Sequence, residues 1–272
     1  MTVTADRTAT GASAGEILER SLDASVLTLR LNRPRAGNSL SLPMIAALQS
    51  ALDDAARDDA VHVIVLEAAG GKVFCAGHDL GEVRERNSPA FAKEMASRCS
   101  RMMQTIVNHP RPVIAKVRGV ATAAGAQLVA SCDLAFAADD ARFATPGVNI
   151  GLWCITPMVA LSRAVSRKHA MQMLLTGRLF DAQHAFRIGL VNEVVDDADL
   201  MPAAQRLVAK LVPKSSLVLR RMKALVDDGL EQPSETALRL ELLASEVHSH
   251  SHDMREGLAA FEEKRKPQFK GC

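Results

Sequence analysis

The stretch VIAKVRGVATAAGAQLVASCDLAFAADDARFATPGVNIGL, residues 113–152, carries the pattern that decides the fold. Its first apolar run predicts a buried strand, and the small-residue turn that follows opens a predicted helix. A second apolar run and a Pro-Gly loop come next. The same order of strand, small-residue turn and helix or loop occurs earlier, in VIVLEAAGGKVFCAGHDL, residues 63–80. We therefore predict an α/β fold built from a repeated ββα-type unit.

The segments around these units complete the outline. Alternating residues predict a strand at 26–31, and helical spacing predicts helices within 42–58 and 88–110. Beyond about residue 160 the pattern is nearly all helical, with Asp181 as an expected N-cap and Gly189 just past a helix end.

The chain divides into three predicted parts. Residues 1–15 are small and polar, lack the apolar stretch of a signal peptide, and are expected to be a disordered lead-in. Residues 16–205 form the expected core, and residues 206–272 form a helical C-terminal region. Because apolar helices added to a finished core commonly pack on a neighbouring subunit, this last part is expected to mediate oligomerisation.

Composition excludes several classes of function. Of the 272 residues, 48% are hydrophobic and 24% charged, and the net charge is only +2. No basic tract is interleaved with aromatics and there is no Tyr, so a nucleic-acid interface is not expected. No apolar run approaches the ~18 residues of a membrane span. Five cysteines without a CxxC pair indicate a reduced compartment, and we expect a cytoplasmic protein.

The turns CAGHDL, residues 75–80, and TAAGAQL, residues 122–128, are the functional candidates. A backbone N–H at the start of a helix has no intrahelical partner and lies at the positive end of the helix dipole. Two such groups that converge form an oxyanion hole, and small residues let a substrate approach the backbone. Either turn alone is better explained by close packing, whereas the pair favours a site.

Four segments resemble successive signatures of the enoyl-CoA hydratase/isomerase (crotonase) family. They are LNRPRAGNSLSLPM, VIVLEAAGGKVFCAGHDL, the stretch at 113–152, and EGLAAFEEKRKPQF. The resemblance runs from about residue 26 to residue 269. AGHDL, ATAAGAQLVASCD and FATPGVNIGLWC are similar, more narrowly, to the subgroup called enoyl-CoA hydratase domain-containing protein 3.

This resemblance implies that the ββα units form a crotonase-like spiral. It also implies a site for an acyl-CoA thioester, with no cofactor beyond the CoA moiety. The thioester carbonyl would lie between the backbone N–H groups of His78 and Ala124. The CoA-binding residues that the resemblance implies are Arg35, Ala36, Ala76, Gly77, His78, Asp79, Leu80, Phe261 and Lys264. It also implies a homotrimer or a dimer of trimers, with Phe261 and Lys264 reaching the nucleotide end of CoA, sometimes across a subunit boundary.

Two departures from the family's pattern concern proton transfer. Hydratases of the family use two glutamates, and this chain has Gln127 and Gly147 at those positions. A positioned acid or base contributes about 10²–10⁴ in rate, so efficient two-glutamate hydration is disfavoured. A backbone oxyanion hole needs no particular side chain and would survive both changes.

Other groups are candidates to move protons. Cys154 stands where related dihydroxynaphthoyl-CoA synthases, which also have Gly at the position of Gly147, carry an acidic residue. It is our first candidate for proton transfer or nucleophilic attack; the alternative is a buried apolar Cys. Gln127 would orient a water or a carbonyl, or would only bond locally. Asn149 is a weaker candidate, and the His78 side chain is expected to pack more than to catalyse.

Two further side-chain roles have simpler readings. Asp79 is expected to cap its own loop. His248 and His252 in HSHSHD have metal-ligand spacing, but an exposed helix end is the better explanation and no metal is expected.

Three functions remain open from the sequence. The first is an acyl-CoA enzyme that stabilises an enolate or oxyanion without the two glutamates. Isomerisation, thioester hydrolysis, decarboxylation and weak hydration are all open as its reaction. The second is a non-catalytic acyl-CoA binding or regulatory protein. The third is a two-glutamate type of enoyl-CoA hydratase in fatty-acid metabolism, which the residues at 127 and 147 disfavour.

Overall fold

The computed structural model describes residues 16–152 and 154–272, so the predicted lead-in and Trp153 lie outside the described residues. The strands are β1 (Leu18–Asp23), β2 (Val26–Leu31), β3 (Val63–Ala68), β4 (Val73–Cys75), β5 (Val113–Val117), β6 (Val120–Thr122), β7 (Leu134–Ala138), β8 (Arg142–Ala144), β9 (Phe180–Asp181) and β10 (Glu193–Val195). The helices are α1 (Leu42–Arg57), α2 (Leu80–Arg86), α3 (Pro89–Val107), α4 (Ala124–Ser131), α5 (Ile155–Ala164), α6 (Arg167–Thr176), α7 (Ala182–Arg187), α8 (Leu200–Leu211), α9 (Ser216–Leu230), α10 (Ser234–Ser249) and α11 (His252–Glu262). Short 3-10 segments are Pro34–Ala36, Pro146–Ile150 and Asp197–Asp199.

The strands form two sheets that share each ββα unit. One sheet has the order β1-β2-β3-β5-β7-β10 and the other β4-β6-β8-β9. The units β3–β4, β5–β6 and β7–β8 each place their first strand in the larger sheet and their second in the smaller one, in parallel with the next unit. A helix or loop follows each second strand. The predicted α/β spiral is confirmed, and its third unit leads into the loop that carries Gly147.

The apolar runs of the large sheet are buried on both faces. In β5, Val113, Ala115 and Val117 face the main core, which α1, α3 and α4 cover. Ile114 faces the other way, into a smaller cluster that also contains Phe136 and residues of α8. Strands covered on both faces read as continuous apolar runs, which is why the sequence showed no alternation here.

Several element boundaries differ from those predicted. The strands β9 and β10 lie in the region expected to be nearly all helical. The C-terminal segment was expected to be helical through HSHSHD, but it breaks after Ser249, because the Ser251 side chain accepts from the Met254 N–H and caps a new helix. Helix α8 spans the predicted boundary at 205/206, so the division into core and C-terminal region stays a prediction.

Two predicted helix-end residues have the expected roles. The Asp181 side chain accepts a hydrogen bond from the His184 N–H and caps α7. Gly189 follows the C-cap of the same helix with a φ of 82°, a conformation that favours glycine. In the described ranges no helix is long and apolar enough to cross a membrane.

Candidate active site

The two candidate turns meet at one edge of the small sheet. They follow the parallel neighbours β4 and β6, so both leave the sheet at the same end. A Cβ atom added to Gly77, whose φ is 94°, would lie 2.9 Å from the Ala123 Cβ and 3.2 Å from the Ala124 backbone nitrogen. Only glycine fits between the turns, and the fit brings the backbone that precedes His78 against the Ala124 backbone nitrogen.

Both predicted oxyanion donors lack a protein partner. Across residues 16–152 and 154–272, neither the His78 N–H nor the Ala124 N–H donates to another backbone group. Their neighbours are paired: the Asp79 N–H donates to the Leu40 carbonyl at 3.3 Å, and the Ala123 N–H donates to a carbonyl of β8 at 2.9 Å. The two turns therefore present two unpaired donors, one of them at the first residue of α4.

The second turn stores backbone strain. Ala123 has a φ of 51° and a ψ of −120°, a conformation that a residue with a Cβ adopts at a cost of about 1–3 kcal/mol. The turn places the Ala124 N–H at the start of α4. Strain of this kind persists where the surrounding structure fixes the backbone. Here β8 and Gly77 fix the backbone of Ala123.

A hydrogen-bonded carboxylate fixes the first turn. Asp79 Oδ2 accepts from Arg33 Nη2 at 3.0 Å and from Ser39 Oγ at 3.1 Å. Its Oδ1 accepts from the N–H groups of Gly81 at 3.0 Å and Glu82 at 3.4 Å, and so caps α2. Burial raises the pKa of Asp79, but these bonds outweigh it and lower the pKa overall. The expected capping role is confirmed.

The residues predicted to bind CoA at the N-terminal side of the site lie beside this turn. The Ala76 N–H donates to the Gly37 carbonyl at 2.9 Å, which joins the 3-10 segment holding Arg35 and Ala36 to the end of β4. Leu80 is 58% exposed at the start of α2. The structure brings these residues together, and their contact with CoA stays a prediction.

Asn38 is a structural residue that sequence reasoning missed. It is fully buried with a φ of 50°, and its Nδ2 donates to the carbonyls of Ala69 at 2.9 Å and Val73 at 2.7 Å. Its Oδ1 accepts from the Arg33 N–H at 2.8 Å. Because Asn tolerates left-handed backbone, its position after Ala-Gly in the first signature was the available signal.

Gln127 and His78 each carry a buried polar atom without a hydrogen-bond partner in the described residues. Gln127 lies three residues after Ala124 in α4, a spacing that puts both on the same helix face. It is 6% exposed, and its Oε1 has no partner in the described residues. In the described residues His78 Nε2 is also buried without a partner, and burial lowers the pKa of His78, so the imidazole is neutral at pH 7.

The Cys154 thiol occupies the space above Gly147. A Cβ atom at Gly147 would lie 2.9 Å from Cys154 Sγ and 2.9 Å from the Leu152 carbonyl oxygen, so no larger side chain fits. Burial raises the pKa of Cys154, and the Gly147 N–H offsets part of the shift. The sulfur is therefore a protonated thiol at neutral pH, which donates a proton better than it attacks as a nucleophile.

The pKa shifts of His78 and Cys154 come mainly from burial. Among the described residues, burial alone shifts the pKa of His78, and burial with the Gly147 N–H shifts that of Cys154. Burial disfavours the charged form of each group, so the imidazole and the thiol are both neutral at pH 7.

The later loop is fastened to α6. Thr145 Oγ1 donates to the Met173 carbonyl at 2.8 Å, and Asn149 Nδ2 reaches the Gly177 carbonyl at 3.4 Å. Asn149, a weaker candidate from the sequence, is thus engaged in holding this loop.

The remaining predicted residues lie on the C-terminal helices. Phe261 is 83% exposed at the end of α11, and Lys264 follows it. His248 lies in the last turn of α10 while His252 begins α11, so they do not share a helix face. In the part of the chain that the structure describes, no group of three or more His, Cys, Asp or Glu residues could hold a metal ion.

Comparison with known proteins fixes the family. The sequence profile of the enoyl-CoA hydratase/isomerase family matches residues 21–272. The chain belongs to the enoyl-CoA hydratase/isomerase family. Human enoyl-CoA hydratase domain-containing protein 3 is 44% identical over 248 residues, 91% of this chain and 81% of that protein. Its crystal structure, at 42% identity, has a TM-score of 0.90 over 93% of this chain and 100% of that chain.

Two bacterial proteins extend the comparison. An enoyl-CoA hydratase from Mycobacterium smegmatis, solved by crystallography, is 44% identical with a TM-score of 0.90 over 93% of this chain and 99% of that chain. A crotonyl-CoA hydratase from Syntrophomonas wolfei subsp. wolfei is 33% identical over 93% of this chain and 96% of that protein. The predicted family, fold and likeness to the domain-containing protein 3 subgroup are confirmed.

The expected cytoplasmic location is contradicted. The human relative and its mouse and rat counterparts are named as mitochondrial proteins. Cysteine usage, on which the expectation rested, does not distinguish one reduced compartment from another.

Proposed function

We propose that this chain is an acyl-CoA enzyme that stabilises the enolate or oxyanion of a thioester between the backbone N–H groups of His78 and Ala124. The observation that supports it is the meeting of two unpaired donors across Gly77. Each such donor contributes about 2.7–4 kcal/mol to a transition state in which charge develops on the carbonyl oxygen.

The proposed enzyme differs from a two-glutamate hydratase in how protons move. Gln127 is an amide, and the Cys154 sulfur fills the space that a side chain at Gly147 would need. Losing positioned acid–base groups costs about 10²–10⁴ in rate. Several relatives are named hydratases, which keeps weak hydration among the reactions to be tested.

The neutral groups of the site define the proposed roles. The Cys154 thiol would donate a proton to an enolate carbon, and the unpaired Gln127 oxygen would orient a water or a substrate hydroxyl. The neutral His78 imidazole, with Nε2 unpaired, is the candidate base. Isomerisation, thioester hydrolysis and decarboxylation all develop charge on the thioester oxygen and fit this arrangement.

The second candidate is an acyl-CoA binding protein without chemistry. The raised pKa of the Cys154 thiol, which disfavours a reactive thiolate, favours this candidate. Such a protein would keep the backbone donors for binding alone.

Turnover of a mixed panel of enoyl-CoA and acyl-CoA thioesters, followed by mass spectrometry, separates the candidates. The enzyme predicts conversion by the wild type and a loss of at least about tenfold with Cys154→Ala or Gln127→Ala. Equal activity in Cys154→Ala would remove Cys154 from the chemistry. Binding without conversion of any thioester would establish the binding protein instead.

We also propose that the protein is a homotrimer or a dimer of trimers. The C-terminal helices α9 and α10 expose several large apolar residues, among them Met222, Val226, Leu230, Leu238 and Leu242. Exposed apolar clusters of this kind mark subunit interfaces. Light scattering coupled to size-exclusion chromatography would give three or six times the mass of one chain, and a monomer mass would contradict the proposal.

A further inference from the structure

A groove of about 540 Å³ runs between α1 and α3. Its lining from α1 recurs every four residues, and α3 adds two cations; these residues are Ile45, Gln49, Asp53, Arg57, Arg98 and Arg101. Residues four apart share a helix face, so the groove follows α1 for about 18 Å at a rise of 1.5 Å per residue. None of these side chains belongs to the candidate active site.

The Gln49 amide has a fixed orientation in this groove. Its Nε2 donates to Asp53 Oδ1 at 2.9 Å and to Thr105 Oγ1 at 2.9 Å. The Thr105 hydroxyl donates its own proton to the Arg101 carbonyl at 3.0 Å, so it only accepts from Gln49. Turning the amide over would set its oxygen against two acceptors, because a carboxylate also only accepts.

The Gln49 side chain therefore presents an acceptor to the groove. Its Oε1 is buried and has no hydrogen-bond partner in the part of the chain that the structure describes. A buried acceptor costs free energy unless a donor reaches it. Ser50, the next residue, lines the same groove and adds a hydroxyl that also accepts. This part of the groove suits a ligand group that donates hydrogen bonds.

The groove also holds two opposite charges that are free of ion pairs. Arg57 is paired with Asp54 at 3.0 Å, and Arg98 forms an ion pair within α3 at 2.8 Å. Over residues 16–152 and 154–272, Asp53 and Arg101 form no ion pair, with each other or with any other residue. One carboxylate and one guanidinium are thus available to a ligand.

We propose that this groove binds a zwitterion, an α-amino acid with a short aliphatic side chain. The Arg101 guanidinium would donate to the ligand carboxylate, and Gln49 Oε1 and the Asp53 carboxylate would accept from its ammonium group. Ile45 and Ala46 provide the apolar lining against which a short side chain would pack. A ligand with an anion alone would leave the ammonium acceptors unpaired and would be repelled by Asp53.

The first test varies the ligand. Titration of the wild type with L-valine, followed by ligand-observed NMR, should give a Kd of about 1 mM or tighter. L-valinamide lacks the carboxylate and isovalerate lacks the ammonium group. We expect each to bind at least about tenfold more weakly than L-valine, the loss of one charge-assisted contact.

The second test varies the protein. Arg101→Gln, at an exposed position, should weaken L-valine about tenfold and leave L-valinamide unchanged. Asp53→Asn, which keeps an acceptor for Gln49, should weaken L-valine and leave isovalerate no weaker. The control is Arg239→Gln, which removes an exposed cation from α10 and should bind L-valine as the wild type does. Thermal midpoints of all variants confirm that they are folded.

Each other outcome overturns the inference. Absence of saturable L-valine binding up to about 20 mM would mean that Gln49 Oε1 is satisfied by water alone. Isovalerate binding as tightly as L-valine would show a plain anion site at Arg101. L-valine binding that survives both Arg101→Gln and Asp53→Asn would place the ligand elsewhere. No thioester enters these measurements, so their outcome leaves the proposed acyl-CoA function to its own test.

Discussion

The two turns of the candidate site present the same kind of donor but are held by different physics. The turn before α2 is fixed by charge, through Asp79 and its bonds to Arg33, Ser39 and the helix N–H groups. The turn before α4 is fixed by shape, since Ala123 is strained and Gly125 packs directly on the Cys75 carbonyl. The stability of the first turn should therefore depend on ionisation, and that of the second turn on side-chain volume.

The largest effect is expected at the contact between the turns. Gly77→Ala would place a Cβ 2.9 Å from the Ala123 Cβ at a φ of 94°. We expect a loss of about 3 kcal/mol in the free energy of unfolding, from strain and overpacking together. Butyryl-CoA binding should also be lost, because the donors are pushed apart. Urea unfolding and titration calorimetry measure the two effects.

A matched control separates strain from clash. Gly151 has a φ of 72° with no atom within 4 Å of an added Cβ. Gly151→Ala should therefore cost only about 1 kcal/mol. Equal losses in the two variants would show that the contact between the turns contributes nothing.

Asp79→Asn should destabilise the turn before α2, which is fixed by charge. Loss of the ion pair with Arg33 and weakening of the cap should lower the free energy of unfolding by about 2 kcal/mol at neutral pH. The folded-state pKa of Asp79 is depressed, so its contribution is present above the unfolded value of about 3.9 and is lost as pH falls through the folded value. Denaturant unfolding of both proteins between neutral and acidic pH measures this.

The control for Asp79→Asn in the turn before α2 is Asp54→Asn. Asp54 is an exposed carboxylate paired with Arg20 and Arg57, and its removal should cost less than about 1 kcal/mol. A difference between wild type and Asp79→Asn that does not shrink on acidification would contradict the account of the first turn.

The turn before α4 should gain stability from Ala123→Gly. Removing the Cβ relieves the strain at a φ of 51°, whereas glycine adds entropy to the unfolded chain and so offsets part of that gain. We expect the free energy of unfolding to rise by about 1 kcal/mol. The same change removes the nearest atom to a Cβ at Gly77. In a double-mutant cycle, Ala123→Gly should recover about 1 kcal/mol of the Gly77→Ala loss. Strict additivity would show that the two residues do not touch.

The sequence was most informative where one element determines its own structure. The β-branched runs predicted β3 and β5, and small residues predicted both turns, because those signals are local. Strands β9 and β10 were missed because they contain only two and three residues and form by pairing with β8 and β7. Pairing partners distant in the chain leave no local pattern.

The same distinction holds within the site. Gln127 and Gly147 were identified by position, but the sequence does not show that the Cys154 sulfur fills the space at Gly147. That contact depends on how the whole loop folds back through the Leu152 N–H, which donates to the Gly147 carbonyl at 2.9 Å. The pKa of Cys154 follows from this burial, which spacing cannot reveal.

The smallest effect is expected at Cys154, and it concerns reactivity more than stability. Because burial raises its pKa above the ordinary 9.0, alkylation by iodoacetamide at neutral pH should be slow and should quicken as pH rises past that value. The exposed Cys272 is the internal reference in the same mass-spectrometric measurement. Cys154→Ala should change the free energy of unfolding by less than about 1 kcal/mol, since the thiol is only half-buried. Alkylation of Cys154 faster than of Cys272 near pH 7 would mean an activated thiolate, and would move this residue from proton donor to nucleophile in the proposed chemistry.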